Sequence, residues 1–205
     1  SVLRLDFVFV VSFATITHLP SKLQEVTVWL IVMVFCSKSM ALHFKGANPN
    51  YSRGSAYGVN CQRCVQAYEF RRRGYDVVAK PKPSTNNIIS WGSECFIQPG
   101  AYQYSYQAYA LNQTEAAVKK ALANAPDGSR FSIYIKWKRT YGGSAHVFIA
   151  EKTGGVVHYL DPQTGNMDAS DYFTRGSKGC FGYFRLDDKA LTTDPNIISA
   201  TVEVK

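Results

Sequence analysis

Cys61 and Cys64 stand three residues apart in the run NCQRCV, residues 60–65 of a 205-residue chain. Three chemistries use such a pair: half of a structural metal site, a redox dithiol, or one nucleophilic sulfur with a neighbour. A structural zinc needs four ligands, usually as two close pairs, and neither Cys95, Cys180 nor any histidine supplies a second pair at suitable spacing. No metal is therefore expected. A thioredoxin-like dithiol follows a strand in a βαβ unit, whereas the residues ahead of Cys61 read GSAYGVN, a loop. A nucleophile fits the placement best. A cysteine in the first turn of a helix lies beside unpaired backbone N–H groups and the positive end of the helix dipole, and both favour thiolate over thiol. Cys61 holds that place. Cys64, one turn on, reads as core packing, because a buried free cysteine behaves as a small hydrophobe. The competing reading makes Cys61 a buried, inert cysteine as well.

A cysteine nucleophile needs a histidine base, and the histidine needs an orienting group. Of the four histidines, His18 and His43 lie in an atypical N-terminal stretch and suggest no partner. His158 stands near a hairpin loop and reads as a solvent-facing strand residue. His146 opens the segment HVFIAEK (146–152), which Thr-Gly-Gly joins to VVHYLDP (156–162), a strong hairpin signal. Two registers are open. A four-residue loop, 152–155, places His146 opposite Asp161; a two-residue Gly-Gly loop places it opposite Gln163. Directly opposed residues have Cβ atoms about 4.5 to 5.5 Å apart, within reach of an imidazole N–H bond to a carboxylate. The competing reading is a surface histidine and a turn aspartate, since DPQTG is also a good turn sequence.

The elements that must position these residues follow from periodicity. Cys61, Cys64, Val65 and Tyr68 fall at helical spacing, Asn60 suits the N-cap and Gly74 the stop. Arg71 to Arg73 then complement the carbonyl end of that helix. The stretch 43–58, rich in Gly, Asn, Ser and Pro, reads as a linker, and 80–103, with Pro81, Pro83 and Pro99, as a long surface connection. A second helix is expected from Thr114 to about Ala123, with Pro-Asp-Gly at 126–128 turning the chain. From there the period becomes two: in 131–138 Phe131, Ile133, Ile135 and Trp137 share one face, and 181–186 and 198–204 complete an antiparallel sheet. Helix first and strands after argue for an α+β fold.

The composition, 46% hydrophobic and 19% charged, excludes wholesale disorder. Five cysteines cannot all pair within the chain, so a disulfide framework is not expected and a reducing compartment is. The net charge of +8 would suit an anionic partner, but its densest run, Arg71 to Arg73, is explained by the helix end, and no nucleic-acid partner is expected. Residues 1–44 differ from the rest. Their apolar runs, 7–13 and 26–36, fall short of the roughly 18 to 20 residues that span a bilayer and do not resemble a signal peptide. They read as an atypical leader or the end of a preceding module, with membrane contact as the other reading, and 45–205 as one catalytic domain.

The run NPNYSRGSAYGVNCQRCVQAYEFRRRGYDV, followed by HVFIAEKTGGVVHYLDPQTG, resembles the papain-fold toxin domains of bacterial polymorphic toxins and phage-associated proteins, related to effector glutamine deamidases. The likeness covers about residues 47–175 and leaves out residues 1–44. It implies a papain-like α+β fold in which a helix bearing the cysteine packs on an antiparallel sheet bearing histidine and aspartate. It implies Cys61 as nucleophile, His146 as base and Asp161 as orienter; backbone N–H groups at the helix start, including that of Cys61, would hold the oxyanion, with Gln163 or Asn60 as helpers. It further implies no cofactor, a protein substrate, a cognate immunity protein and delivery as a secreted or injected effector into a target-cell cytoplasm. A cysteine peptidase of the same fold and a noncatalytic module of a phage or secreted protein are the alternatives.

Overall fold

The computed structural model describes residues 44–85, 87–97 and 109–205. The expectations for residues 1–43, both apolar runs included, lie outside the described residues. Among the described residues no helix is long and apolar enough to cross a membrane.

Helix α1, Cys61–Arg72, begins and ends as its sequence predicts, with Gly74 at φ 88° beyond its last turn. It differs from an ordinary surface helix in being buried almost all round: every residue from Cys61 to Phe70 except Gln62 is buried. An apolar stripe alone cannot line such a helix, so its polar side chains must find partners inside. Arg63 donates to Ala200 O at 2.9 Å and to Asn87 Oδ1 at 2.7 Å. Gln66 Oε1 accepts from Cys95 N at 2.8 Å. The Glu69 carboxylate, 0% exposed, takes Arg73 at 2.7 Å and Arg130 at 2.6 Å. The basic run does more than complement the helix end: Arg71 pairs with Asp76 and Arg72 with Glu151.

On one side of α1 stands a five-stranded antiparallel sheet. Its strands are β3 (Ala110–Gln113), β4 (Arg130–Trp137), β5 (Ala145–Thr153), β6 (Val156–Leu160) and β7 (Gly176–Arg185), in the order β3-β7-β4-β5-β6. The alternation read from the sequence divides the core in two. Val147, Ile149 and Phe184 pack with α1, while Phe131, Ile133, Ile135, Phe148 and Phe181 pack on the other face with α2 (Glu115–Asn124) and the short α3 (Tyr172–Arg175). Helix α2 starts where expected, Thr114 Oγ1 accepting from Ala117 N. The structure is an α+β mix, as expected.

Three expectations need correction. Residues 198–204 do not complete the main sheet: Pro195–Thr201 form helix α4, and only β9 (Val202–Val204) is extended, pairing with β1 (Val77–Ala79). The helix is favoured because Asp194 caps it, accepting from Asn196 and Ile197, and Pro195 supplies a preset φ in its first turn. The stretch 80–103 is no surface connection in its described part, for Ile89, Cys95 and Phe96 are buried and β2 (Phe96–Ile97) pairs with β8 (Ala190–Leu191). The expected linker 43–58 likewise contributes Phe44 and Ala47 to the core with α1.

Removing Glu69 would leave two arginines facing an apolar interior. Glu69→Ala is expected to lower stability by about 2 to 3 kcal/mol in urea unfolding, discounted because Arg73 and Arg130 keep part of their hydration.

Candidate active site

The β5–β6 hairpin decides how the histidine meets its carboxylate. Thr153 pairs with Val156 and Ile149 with Leu160, so the loop is the two-residue Gly154-Gly155 turn. Both glycines have positive φ, 60° and 78°, as a tight hairpin of this length requires. This is the second of the two registers, and it does not place His146 directly opposite Asp161. The ladder instead ends at Leu160, and the chain folds back so that Asp161 bridges Asn166. Asp161 then reaches His146 diagonally, and His146 Nε2 lies 3.1 Å from Asp161 Oδ2.

Neither residue is on the surface: Asp161 is fully buried and His146 9% exposed. The turn reading of DPQTG is nonetheless also right, because Asp161 Oδ1 accepts from Gln163 N at 3.0 Å. Its other oxygen accepts from Thr164 Oγ1 at 2.9 Å and Tyr172 Oη at 2.8 Å in addition to the imidazole. The ring is walled by aromatics. Trp137 stacks on it at 5.8 Å, Phe148 lies nearly parallel at 6.4 Å and Tyr172 meets it edge-on at 5.9 Å. Trp137 was visible in the sequence as a strand residue; Tyr172, in a four-residue helix far along the chain, gave no signal.

Cys61 is the first residue of α1 and 6% exposed. Its sulfur lies 3.4 Å from Gln62 Oε1, and the Cys61 side chain interacts electrostatically with the His146 imidazole. Burial alone would push the imidazole down; the hydrogen bonds and negative charge of Asp161 and Cys61 outweigh it and raise His146 from 6.5 to about 10. Burial alone would push the Asp161 carboxyl up, yet the hydrogen bond and charge of His146, with Tyr172 and Thr164, hold it below its ordinary value.

Cys64 behaves differently. Complete burial pushes its thiol well above the ordinary range, with the nearby Cys61 and Asp161 charges adding to the effect, and the protonated thiol donates to Asn60 Oδ1 at 3.1 Å. Asn60 occupies the N-cap position, but its side chain makes no capping bond. Instead Nδ2 donates to Lys80 O at 2.9 Å, and Oδ1 receives Gln163 Nε2 and Asn48 Nδ2, each at 3.5 Å. The Asn60 and Gln163 side chains thus tie together the helix start, the Asp161 turn and the 44–58 stretch. His158, as expected, lies exposed on β6. Among the described residues no group of histidines, cysteines and carboxylates is arranged to hold a metal ion.

The papain fold toxin 1, glutamine deamidase family matches residues 59–166, from just before Cys61 to just beyond the Asp161 turn. The chain belongs to this family. Its match covers over half of the sequence and includes Cys61, His146 and Asp161, with Asn60, Trp137 and Gln163, while Tyr172 lies beyond it. No curated protein matches the chain. Membership in a papain-fold toxin family of the glutamine deamidase type makes a cysteine-dependent enzyme acting on proteins the coarse description of this chain.

The charge balance at His146 gives two measurable consequences. A group whose folded value lies above its unfolded one stabilises the fold below the unfolded value and loses that contribution as pH rises. For His146 the loss is expected from about 6.5 to about 10, and for Asp161, lowered in the fold, as pH falls below 3.8. Ring-proton NMR should follow the His146 titration directly, and Asp161→Asn should bring it down toward 6.5. Cys64→Ala should lower stability by about 1 to 2 kcal/mol, and Cys61→Ala by clearly less, in urea unfolding.

Proposed function

We propose that the chain deamidates a glutamine side chain of a target protein, with Cys61 as nucleophile, His146 as general acid and base, and Asp161 as the group that orients the imidazole. The observation that carries this reading is the buried imidazole shared between a carboxylate and a sulfur, charged in that position because both neighbours favour the imidazolium. Asp161 occupies Nε2, which leaves Nδ1 for the sulfur.

The steps then balance as acyl transfer. The Cys61 thiolate attacks the carboxamide carbon, and the carbonyl electron pair moves onto oxygen. The first backbone bonds of α1 run from the Arg63 and Cys64 N–H groups to Asn60 O, and the N–H of Cys61, ahead of that ladder, would bind the oxyanion. Collapse of the intermediate expels ammonia with the proton that His146 gives up, leaving a thioester on Cys61. Water, deprotonated by His146, hydrolyses the thioester to a glutamate side chain and restores the thiol. Asn60 and Gln163 brace the site through amide bonds to Lys80 O and Asn60 Oδ1, and the second N–H of either amide would serve as a helper at the oxyanion. An effector delivered to a target-cell cytoplasm and neutralised by an immunity protein is the setting that the toxin family suggests.

Intact-mass measurement on target-cell proteins incubated with the full chain should show the small gain of replacing NH2 by OH at a glutamine, together with released ammonia. Cys61→Ala and His146→Ala should each abolish it while leaving the fold intact, and Asp161→Asn should reduce it by about a hundredfold or more. Peptide fragments in place of that mass gain would make the enzyme a peptidase.

A further inference from the structure

Beside the catalytic trio lies a cleft of about 180 Å³ bounded by Gln62, Ser90, Trp91, Tyr134, His146 and Val147. One wall is a loop without regular structure that the fold holds unusually firmly. The Glu94 carboxylate accepts from four successive backbone N–H groups: those of Ser90 at 2.6 Å, Trp91 at 2.7 Å, Gly92 at 2.9 Å and Ser93 at 3.0 Å. Gln66 of α1 donates to the same carboxylate at 3.3 Å. Gly92 has φ 87°, and a Cβ there would meet the backbone of Gln62 at 3.3 Å, so the loop lies directly on the first turn of α1. The Trp91 carbonyl accepts from Tyr109 Oη at 2.9 Å, and that hydroxyl also bonds Ser132 Oγ on β4 at 2.6 Å.

This anchoring serves to present an indole. Trp91 is 41% exposed, tilted against Tyr134 at 5.8 Å and Tyr109 at 6.1 Å. Large apolar area held rigidly in water beside a cleft is area that folding has not used and that binding can use at little ordering cost. Apart from His146 no residue lining the cleft carries a charge, so a cationic side chain entering it would lose hydration and meet only the imidazolium.

We propose that Trp91, backed by Tyr134, is the specificity-determining face of this cleft, taking an aromatic or large apolar side chain next to the target glutamine, and that Glu94 is the positioning residue that fixes it relative to Cys61. The inference rests on the deamidase reading and names the substrate class within it: a protein segment in which the glutamine has such a neighbour.

Two alkylating agents with the same reactive group test it on the full chain, iodoacetamide and N-benzyl iodoacetamide. The readout is the ratio of their rates at Cys61, followed by mass mapping of cysteine peptides and normalised to the same ratio for glutathione. The ratio should favour the benzyl reagent by about fivefold, the gain of one aromatic contact. Trp91→Ala should bring it to about one, Trp91→Phe should keep most of it, and Glu94→Gln should lower it with no change at Trp91 itself. A ratio near one in the native chain, or one that Trp91→Ala leaves unchanged, overturns the proposal. Failure of the benzyl reagent alone to label Cys61 also overturns the proposal, and failure of iodoacetamide overturns the deamidase reading and this inference with it.

Discussion

The arrangement depends on one constraint: a helix that carries charged and amide side chains is buried on nearly every side. Arg63, Gln66 and Glu69 are each at most 1% exposed, and each must be matched by a partner from a different part of the chain. Those partners come from the 87–95 stretch, from β4 and from α4. An unmatched buried charge costs several kcal/mol, a large fraction of a domain's stability, so the helix and its surroundings form together or not at all. The first residue of that helix is Cys61. Its position against the end of the sheet is therefore set by interactions well away from the sulfur.

At the sheet end the same economy governs a second buried charge. Asp161 is fully buried and would be expensive alone, but it accepts from His146, Tyr172 and Thr164 and from the Gln163 amide. A carboxylate so well supplied stays ionised and favours a charged imidazole, and Trp137 and Phe148 restrict water around the ring. Inside such a wall an imidazolium attracts a neighbouring negative charge with less screening than at a surface. The two cysteines of the opening motif separate on the same physics. Cys61 has the His146 imidazole beside it; Cys64, one turn deeper, is kept a thiol by its burial and donates to an amide oxygen.

Local signals were legible in the sequence and long-range ones were not. The start and end of α1, the start of α2, the alternation of β4 and the existence of the hairpin follow from spacing and turn chemistry within a few residues. The hairpin register did not, since Lys-Thr-Gly-Gly admits loops of two or four residues, whose registers differ by two residues. Asp161 was picked as the partner of His146 by direct opposition, and it is the partner by a diagonal approach after the ladder ends. The run 198–204 alternates like a strand, but a cap at Asp194 and Pro195 act on residues ahead of it. Glu94 and Tyr172 gave no signal, because their roles exist only once distant segments have met.

The proposed chemistry requires Cys61 to be activated by His146 and not merely accessible. Exposure predicts otherwise, for among the described cysteines Cys180 is the more open and Cys61 is 6% exposed. Limiting iodoacetamide at neutral pH, followed by mapping of the labelled cysteine, separates the two. Activation by His146 predicts label on Cys61 ahead of Cys180, and loss of that preference in His146→Ala. Labelling of Cys180 first, or a Cys61 rate unchanged in His146→Ala, would contradict it.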